Sequence, residues 1–151
     1  MTLPFAGTKA PPFDAKLWRI YRASEYVCQN YRLRPGVVNG RWAEYLAAQG
    51  HKSFTFVTAY NPYSDVTTPL YVNLARAQVL RKWVEEQGYE YLPAAGVDPS
   101  GEWPAEVGVM VFDLPLGLGL QLGAGFGQHA VLYGGLDGCC EVLWCQCRLP
   151  G

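Results

Sequence analysis

Asn73 and Arg76 fall on a segment, Pro69 to about Gln87, that otherwise reads as an amphipathic helix, and both lie inside its apolar stripe. With about 100° per residue and Val72 at zero, Val79, Leu80, Trp83 and Val84 gather on one side. Arg76 then lies between Trp83 and Leu80, and Asn73 between Leu80 and Val84. Gln78, Arg81, Lys82 and Glu85 make the wet face. A buried amide and a guanidinium each cost several kcal/mol without partners, so polar groups must meet this helix from inside the fold. Asn73 sits in the first turns, close to where the preceding strand ends, and should converge with Thr58, Tyr60 and Asn61. Glu106 adds a carboxylate and Gln128 another amide. The candidate site is therefore Thr58, Asn61, Asn73, Arg76, Glu106 and Gln128. An arginine among amides suits a small anionic or carbonyl-rich metabolite, such as a phosphate, a carboxylate or a nucleobase. Glu106 has two readings, a general base in a partly apolar site or the structural partner of Arg76; the second is preferred. Ser53, Ser64 and Ser100 have no identifiable base in the sequence, so covalent catalysis has no visible nucleophile.

The elements that must hold these residues are short and mixed. Pro4 to Phe13 reads as an irregular leader, so residues 1–14 are set apart from a single domain over 15–151. Ala15 to Ser24 suggests a short helix and Glu25 to Tyr31 a strand. Arg41 to Gln49 is a helix capped by Asn39 and stopped by Gly50. Ser53 to Tyr60 alternates aromatic and β-branched residues as a strand does. In the next helix Thr68 is the expected N-cap, with Pro69 at the first helical position and Gly88 as terminator. Tyr89 to Ala95 and Val107 to Leu114 read as strands around a loop with the turn signal Asp98-Pro99-Ser100-Gly101. Pro115 to Phe126 is a glycine-weakened helix, and His129 to Gly135 with Cys139 to Cys147 closes the chain as a hairpin. The expected fold is α+β: a two-layer sandwich with a mixed or antiparallel sheet and two to three helices.

Composition narrows the function classes. The 151 residues are 50% hydrophobic, enough for one core without disulfide staples. Twelve basic against thirteen acidic residues leave no broad surface for nucleic acid. No signal-peptide core and no apolar run near the roughly 18 residues of a membrane span is present, so a cytoplasmic protein is the expectation. Cys139 and Cys145 are roughly 20 Å apart along a strand at about 3.3 Å per residue. Alternation sets Cys140 on the face opposite Cys139, Cys145 and Cys147. Buried structural thiols are favoured over a zinc site, and neither metal nor cofactor is expected. The run G-L-G-L-Q-L-G, Gly117 to Gly123, superficially fits a dinucleotide-binding turn. Pro115 intervenes, however, and too little chain follows for a second parallel strand. Helix glycines that allow close packing on the sheet, with Gly127 turning the chain into Gln128, are the preferred account.

Four motifs occur in order: FTFVTAYNP from Phe54 to Pro62, Asn73 with Arg76, GVDPSGEWPAE from Gly96 to Glu106, and FGQHA from Phe126 to Ala130. Together they resemble a bacterial family known as domain of unknown function 3293, over about Trp18 to Val142. The resemblance implies no activity to transfer, and the glycines at 117, 119, 123 and 125 depart from a regular helix.

Two function classes follow. In the first, the chain binds a small molecule or nucleotide through the polar cluster, as an enzyme or otherwise, with Trp103 either a lid over the pocket or a cap on the core beside Pro104. In the second, it is an interaction or assembly domain whose polar cluster is structural and whose contact surface is Trp18, Tyr21, Tyr26 and Tyr31. The sequence fixes neither an oligomeric state nor a partner.

Overall fold

A computed structural model describes residues 2–146. The chain runs α1 (Ala15–Ala23), β1 (Glu25–Cys28), β2 (Tyr31–Leu33), α2 (Gly40–Gln49), β3 (Ser53–Thr58), a 3-10 turn (Pro62–Ser64), α3 (Leu70–Glu86), β4 (Tyr91–Val97), β5 (Glu106–Phe112), α4 (Leu116–Gly125), β6 (Ala130–Gly135) and β7 (Cys140–Trp144). One seven-stranded sheet in the order β2-β1-β4-β5-β3-β6-β7 has every neighbouring pair antiparallel. The α+β class and an antiparallel sheet thus hold, whereas the two-layer arrangement with two to three helices does not.

Strand alternation explains why. Phe54 and Phe56 of β3, Met110 and Phe112 of β5, and Leu132 of β6 point to one face, where they meet Trp42 and Leu46 of α2 and the inner side of α1. Val57, Val109, Val111 and Val131 point to the other, under Leu80, Trp83 and Val84 of α3 and Leu120 and Leu122 of α4. Two cores form on two faces because the central strands are apolar at consecutive positions, as strands buried on both sides must be. Four helices therefore share the sheet, two on each side.

Local signals account for most boundaries. Asn39 accepts from the Trp42 N–H at 3.0 Å and Gly50 ends α2 at φ +75°. The strand expected over Glu25 to Tyr31 is instead a hairpin, broken at Gln29 with φ +53°. Thr68 is not the N-cap of α3: its hydroxyl donates to the Asp65 carbonyl at 2.6 Å, and Pro69 occupies the cap position. α4 packs close to the sheet through its glycines. A Cβ on Gly123 would lie 2.8 Å from Cys145 Sγ and from Val131, and one on Gly119 3.3 Å from Thr55.

The leader is irregular yet joined to the domain. Leu3 and Ala10 pack on the second core, the Trp83 indole donates to the Thr2 carbonyl at 3.2 Å, and Phe5 meets Phe126 edge-on. Cys140 and Cys145 sit in opposite cores, and Cys147 lies outside the described residues. The aromatics expected to form a contact surface face inward: Tyr26 is buried, and Trp18, Tyr21 and Tyr31 pack against the first core. No helix among the described residues is long and apolar enough to cross a membrane.

Candidate functional site

The end of β3 and the turn after it carry the site. Asn61, Tyr63 and Ser64 all have positive φ, at 48°, 58° and 58°. Such backbone costs of order 1–3 kcal/mol per residue and persists only where surroundings enforce it. Here they do. The Asn73 side chain accepts from the Asn61 N–H at 2.8 Å and donates to Asn61 Oδ1 at 2.9 Å. This two-point pairing explains the amide in the apolar stripe of α3, and it fixes the orientation of the Asn61 amide. The NH2 end of Asn61 is thereby aimed at Glu106, donating to Oε2 at 3.1 Å.

Arg76 does a related task on the neighbouring backbone. Its Nε donates to the Ala59 carbonyl at 3.0 Å and its guanidinium also bonds the Phe126 carbonyl, between the rings of Phe5 and Phe126 at 5.4 and 5.6 Å. Gln128 Nε2 donates to the Tyr60 and Phe126 carbonyls at 2.9 and 3.2 Å. Both side chains tie the end of β3 to the segment leading into β6. The preferred Arg76–Glu106 pair is not formed, because Glu106 bonds Asn61 and the guanidinium is committed to carbonyls. Thr58 closes a turn, donating to the Val107 carbonyl and accepting from the Tyr60 N–H.

The six expected residues therefore separate. Thr58, Asn61, Glu106 and Gln128 line one cavity; Asn73 reaches it only through Asn61, and Arg76 does not line it. The cavity lies on the first face of the sheet, floored by Tyr26, Phe56, Ala130, Leu132 and Val142. Ile20 and Tyr21 of α1 with its C-cap Ser24 form one wall, Ser64 and Val66 a second, and Asp98, Trp103 and Pro104 a third. Register brings the floor together: Tyr26 pairs with Gly96, and Gly96 with Glu106. Gly96 leaves the Tyr26 ring in contact distance, where a Cβ would already touch it at 3.4 Å. The cavity volume is about 60 Å³, room for several waters at roughly 10–15 Å³ each.

Burial pushes the Glu106 carboxyl up to about 7, and the hydrogen bond from Asn61 offsets only part of that. The group is thus half protonated near neutral pH. Asp98 is different: the Ser100 hydroxyl and the N–H groups of Ser100 and Trp103 hold it below the usual range.

A second polar chain borders the cavity. The Tyr21 hydroxyl is 2.6 Å from Ser64 Oγ, which is 2.9 Å from His129 Nδ1. Ser64 therefore has a paired histidine after all. The two lie 65 positions apart, and only the strained turn and the Gly127 bend, at φ +69°, bring them together. Burial lowers the basicity of His129, against an opposing pull from Asp14, and burial raises the Tyr21 hydroxyl to about 12. His129 was visible in the FGQHA motif, next to a named site residue; Ser64 had no base within reach along the sequence, and Tyr21 read as a contact aromatic.

The fold and cavity define an antiparallel α+β domain with a carboxyl-bearing pocket between its first helix and its sheet. Residues 57–131 match the family described as protein of unknown function (DUF3293), and over this segment the chain is similar to that family. The match runs from the end of β3 to the start of β6, narrower than Trp18 to Val142. It includes all six expected residues together with Ser64 and His129, and leaves out Tyr21. Comparison with curated proteins and with solved structures gives no match.

Proposed function

We propose that the protein binds a small organic molecule in the cavity between α1 and the sheet, and that Glu106 is its principal polar contact. The observation that carries this reading is the state of Glu106. It is partly buried over an apolar floor, accepts one hydrogen bond from Asn61, and keeps its other oxygen without a partner among the described residues. A carboxyl raised to about 7 can donate to or accept from a ligand at neutral pH. Deep apolar walls with a few convergent polar groups are the usual form of a small-molecule site.

The anionic ligand expected from Arg76 loses its basis, since that cation is committed to backbone carbonyls. The lining includes two carboxyls, Asp98 and Glu106, and neither lysine nor arginine. A neutral or cationic ligand with a hydrogen-bonding group beside an apolar body fits this lining better. Trp103, over the third wall, supplies an aromatic face for it. The test is a thermal-shift screen of neutral and cationic metabolites against the wild type and Glu106→Gln. A ligand at 100 times its dissociation constant adds about 2.7 kcal/mol to the wild type, and Glu106→Gln should weaken that response. A panel that stabilises neither protein would defeat the reading.

A second reading, an interaction domain, is favoured by a different surface from the one expected. Leu70, Tyr71 and Leu74 at the start of α3 are more than half exposed, at 63, 75 and 53%. Light scattering showing a monomer at high concentration, with no change on Tyr71→Glu, would count against self-association there.

A further inference from the structure

We propose that Ser64 is a nucleophile and His129 its general base, so that the chain hydrolyses short-chain esters or thioesters in the cavity bordered by Tyr21 and Glu106. This deepens the ligand-binding reading and rests on the same cavity. Three independent features carry it. Ser64 Oγ lies at hydrogen-bond distance from His129 Nδ1, the geometry required for proton removal during attack. Ser64 is also held at φ +58° in a turn where two other non-glycine residues are likewise left-handed, and such strain clusters where a side chain must be presented. Ser64, finally, belongs to the cavity lining rather than to a sealed core.

Attack by Ser64 requires one direction for these hydrogen bonds. Tyr21, which keeps its proton at any ordinary pH, must donate to Ser64 Oγ. The Ser64 proton then points to Nδ1 of a neutral His129, which selects the tautomer with hydrogen on Nε2. Tyr21 is accordingly a positioning residue. In the step itself, Ser64 Oγ forms a bond to the carbonyl carbon of the ester while its proton passes to His129 Nδ1. Collapse of the tetrahedral intermediate breaks the carbon–oxygen or carbon–sulfur bond, and the leaving alkoxide or thiolate takes the proton from His129. Water then adds to the acyl carbon, giving a proton to Nδ1; the acyl–oxygen bond to Ser64 breaks and Oγ recovers that proton. No oxidant or metal enters the balance. The cavity's small volume and apolar floor restrict the acyl part to a few carbons.

Two measurements decide the proposal. The first treats the full chain with a fluorophosphonate probe and maps the adduct by peptide mass spectrometry. Ser64 should be the labelled residue, with labelling lost in Ser64→Ala and slowed at least 10-fold in His129→Ala, while Tyr21→Phe slows it less. The second follows p-nitrophenyl acetate and butyrate hydrolysis, expected to show an initial burst that Ser64→Ala abolishes. Circular dichroism checks that each variant folds. Labelling of the wild type alone already tests the nucleophile if His129→Ala does not fold. Wild type that stays unlabelled at millimolar probe, or turnover that survives Ser64→Ala, overturns the proposal. A metabolite-induced thermal shift in a wild type that stays unlabelled would leave the binding reading standing while the nucleophile fell.

Discussion

Replacing Glu106 by glutamine should change how stability depends on pH, and the sign follows from the cavity. The carboxyl is ordinarily near 4.5 and is raised to about 7 in the fold, by burial first and against the Asn61 hydrogen bond. Between those two values the folded chain holds one proton that the unfolded chain has released. Stability therefore falls as pH rises through this window and levels off above it. At about 1.36 kcal/mol per pH unit, the full loss is about 3 kcal/mol, a large part of the 5–15 kcal/mol typical of a domain. Glutamine retains an acceptor for Asn61 and cannot ionise. Urea unfolding of both proteins at steps from about pH 4.5 to 8.5 isolates this group, because every other titration is common to the pair. Glu106→Gln should gain on the wild type steadily through the window, reaching about 3 kcal/mol near pH 8, or a melting point roughly 6–12 °C higher. A difference that stays flat within about 0.5 kcal/mol would refute a protonated, desolvated Glu106.

Three further outcomes follow from the same contacts. Asn73→Ala removes both hydrogen bonds that hold Asn61 and strands a buried N–H; a loss of about 2–4 kcal/mol is expected in urea unfolding, with a weaker ligand-induced thermal shift because Asn61 no longer faces Glu106. Arg76→Lys keeps the charge but loses the fork that reaches the Ala59 and Phe126 carbonyls, so it should cost about 1–3 kcal/mol while leaving the ligand response of the folded protein unchanged; a selective loss of ligand response would return Arg76 to the site. Gly119→Ala and Gly123→Ala should differ in sign. Each gains about 1 kcal/mol of helix propensity, but a Cβ at position 123 meets Cys145 and Val131 at 2.8 Å whereas one at 119 meets Thr55 at 3.3 Å. Thermal melts should show Gly123→Ala destabilised, as overpacking costs about 1–3 kcal/mol, and Gly119→Ala neutral or slightly stabilised.

Much of the architecture was legible because its causes are local. Asn39 and Gly50 bracket α2, and periodicity marks Asn73 as a buried amide. Glycine spacing in α4 indicates close packing, and alternation separates Cys140 from Cys145. The helix count and the second helical layer were harder to read. A strand that is apolar at consecutive positions, such as Phe56-Val57, shows that both faces are covered, but not by which helices. The hairpin at Gln29 was missed because its residue lacks the usual glycine or asparagine signal for positive φ.

The site divides along the same line. By itself the sequence determined that Asn73 must have a polar partner, that Asn61 was a fitting one, and that Glu106 and Gln128 belonged to the same neighbourhood. Only the tertiary structure decided that Arg76 turns to carbonyls instead of Glu106, that Glu106 is left as a raised carboxyl at a cavity, and that Ser64 stands beside His129. The physical reason is range. Capping, periodicity and turn chemistry act over a few residues and are written in their spacing. The choice of partner for a long side chain, and the desolvation that sets the state of a carboxyl, depend on groups 17 to 65 positions away that only strand register and helix packing bring within 3 Å or so of one another.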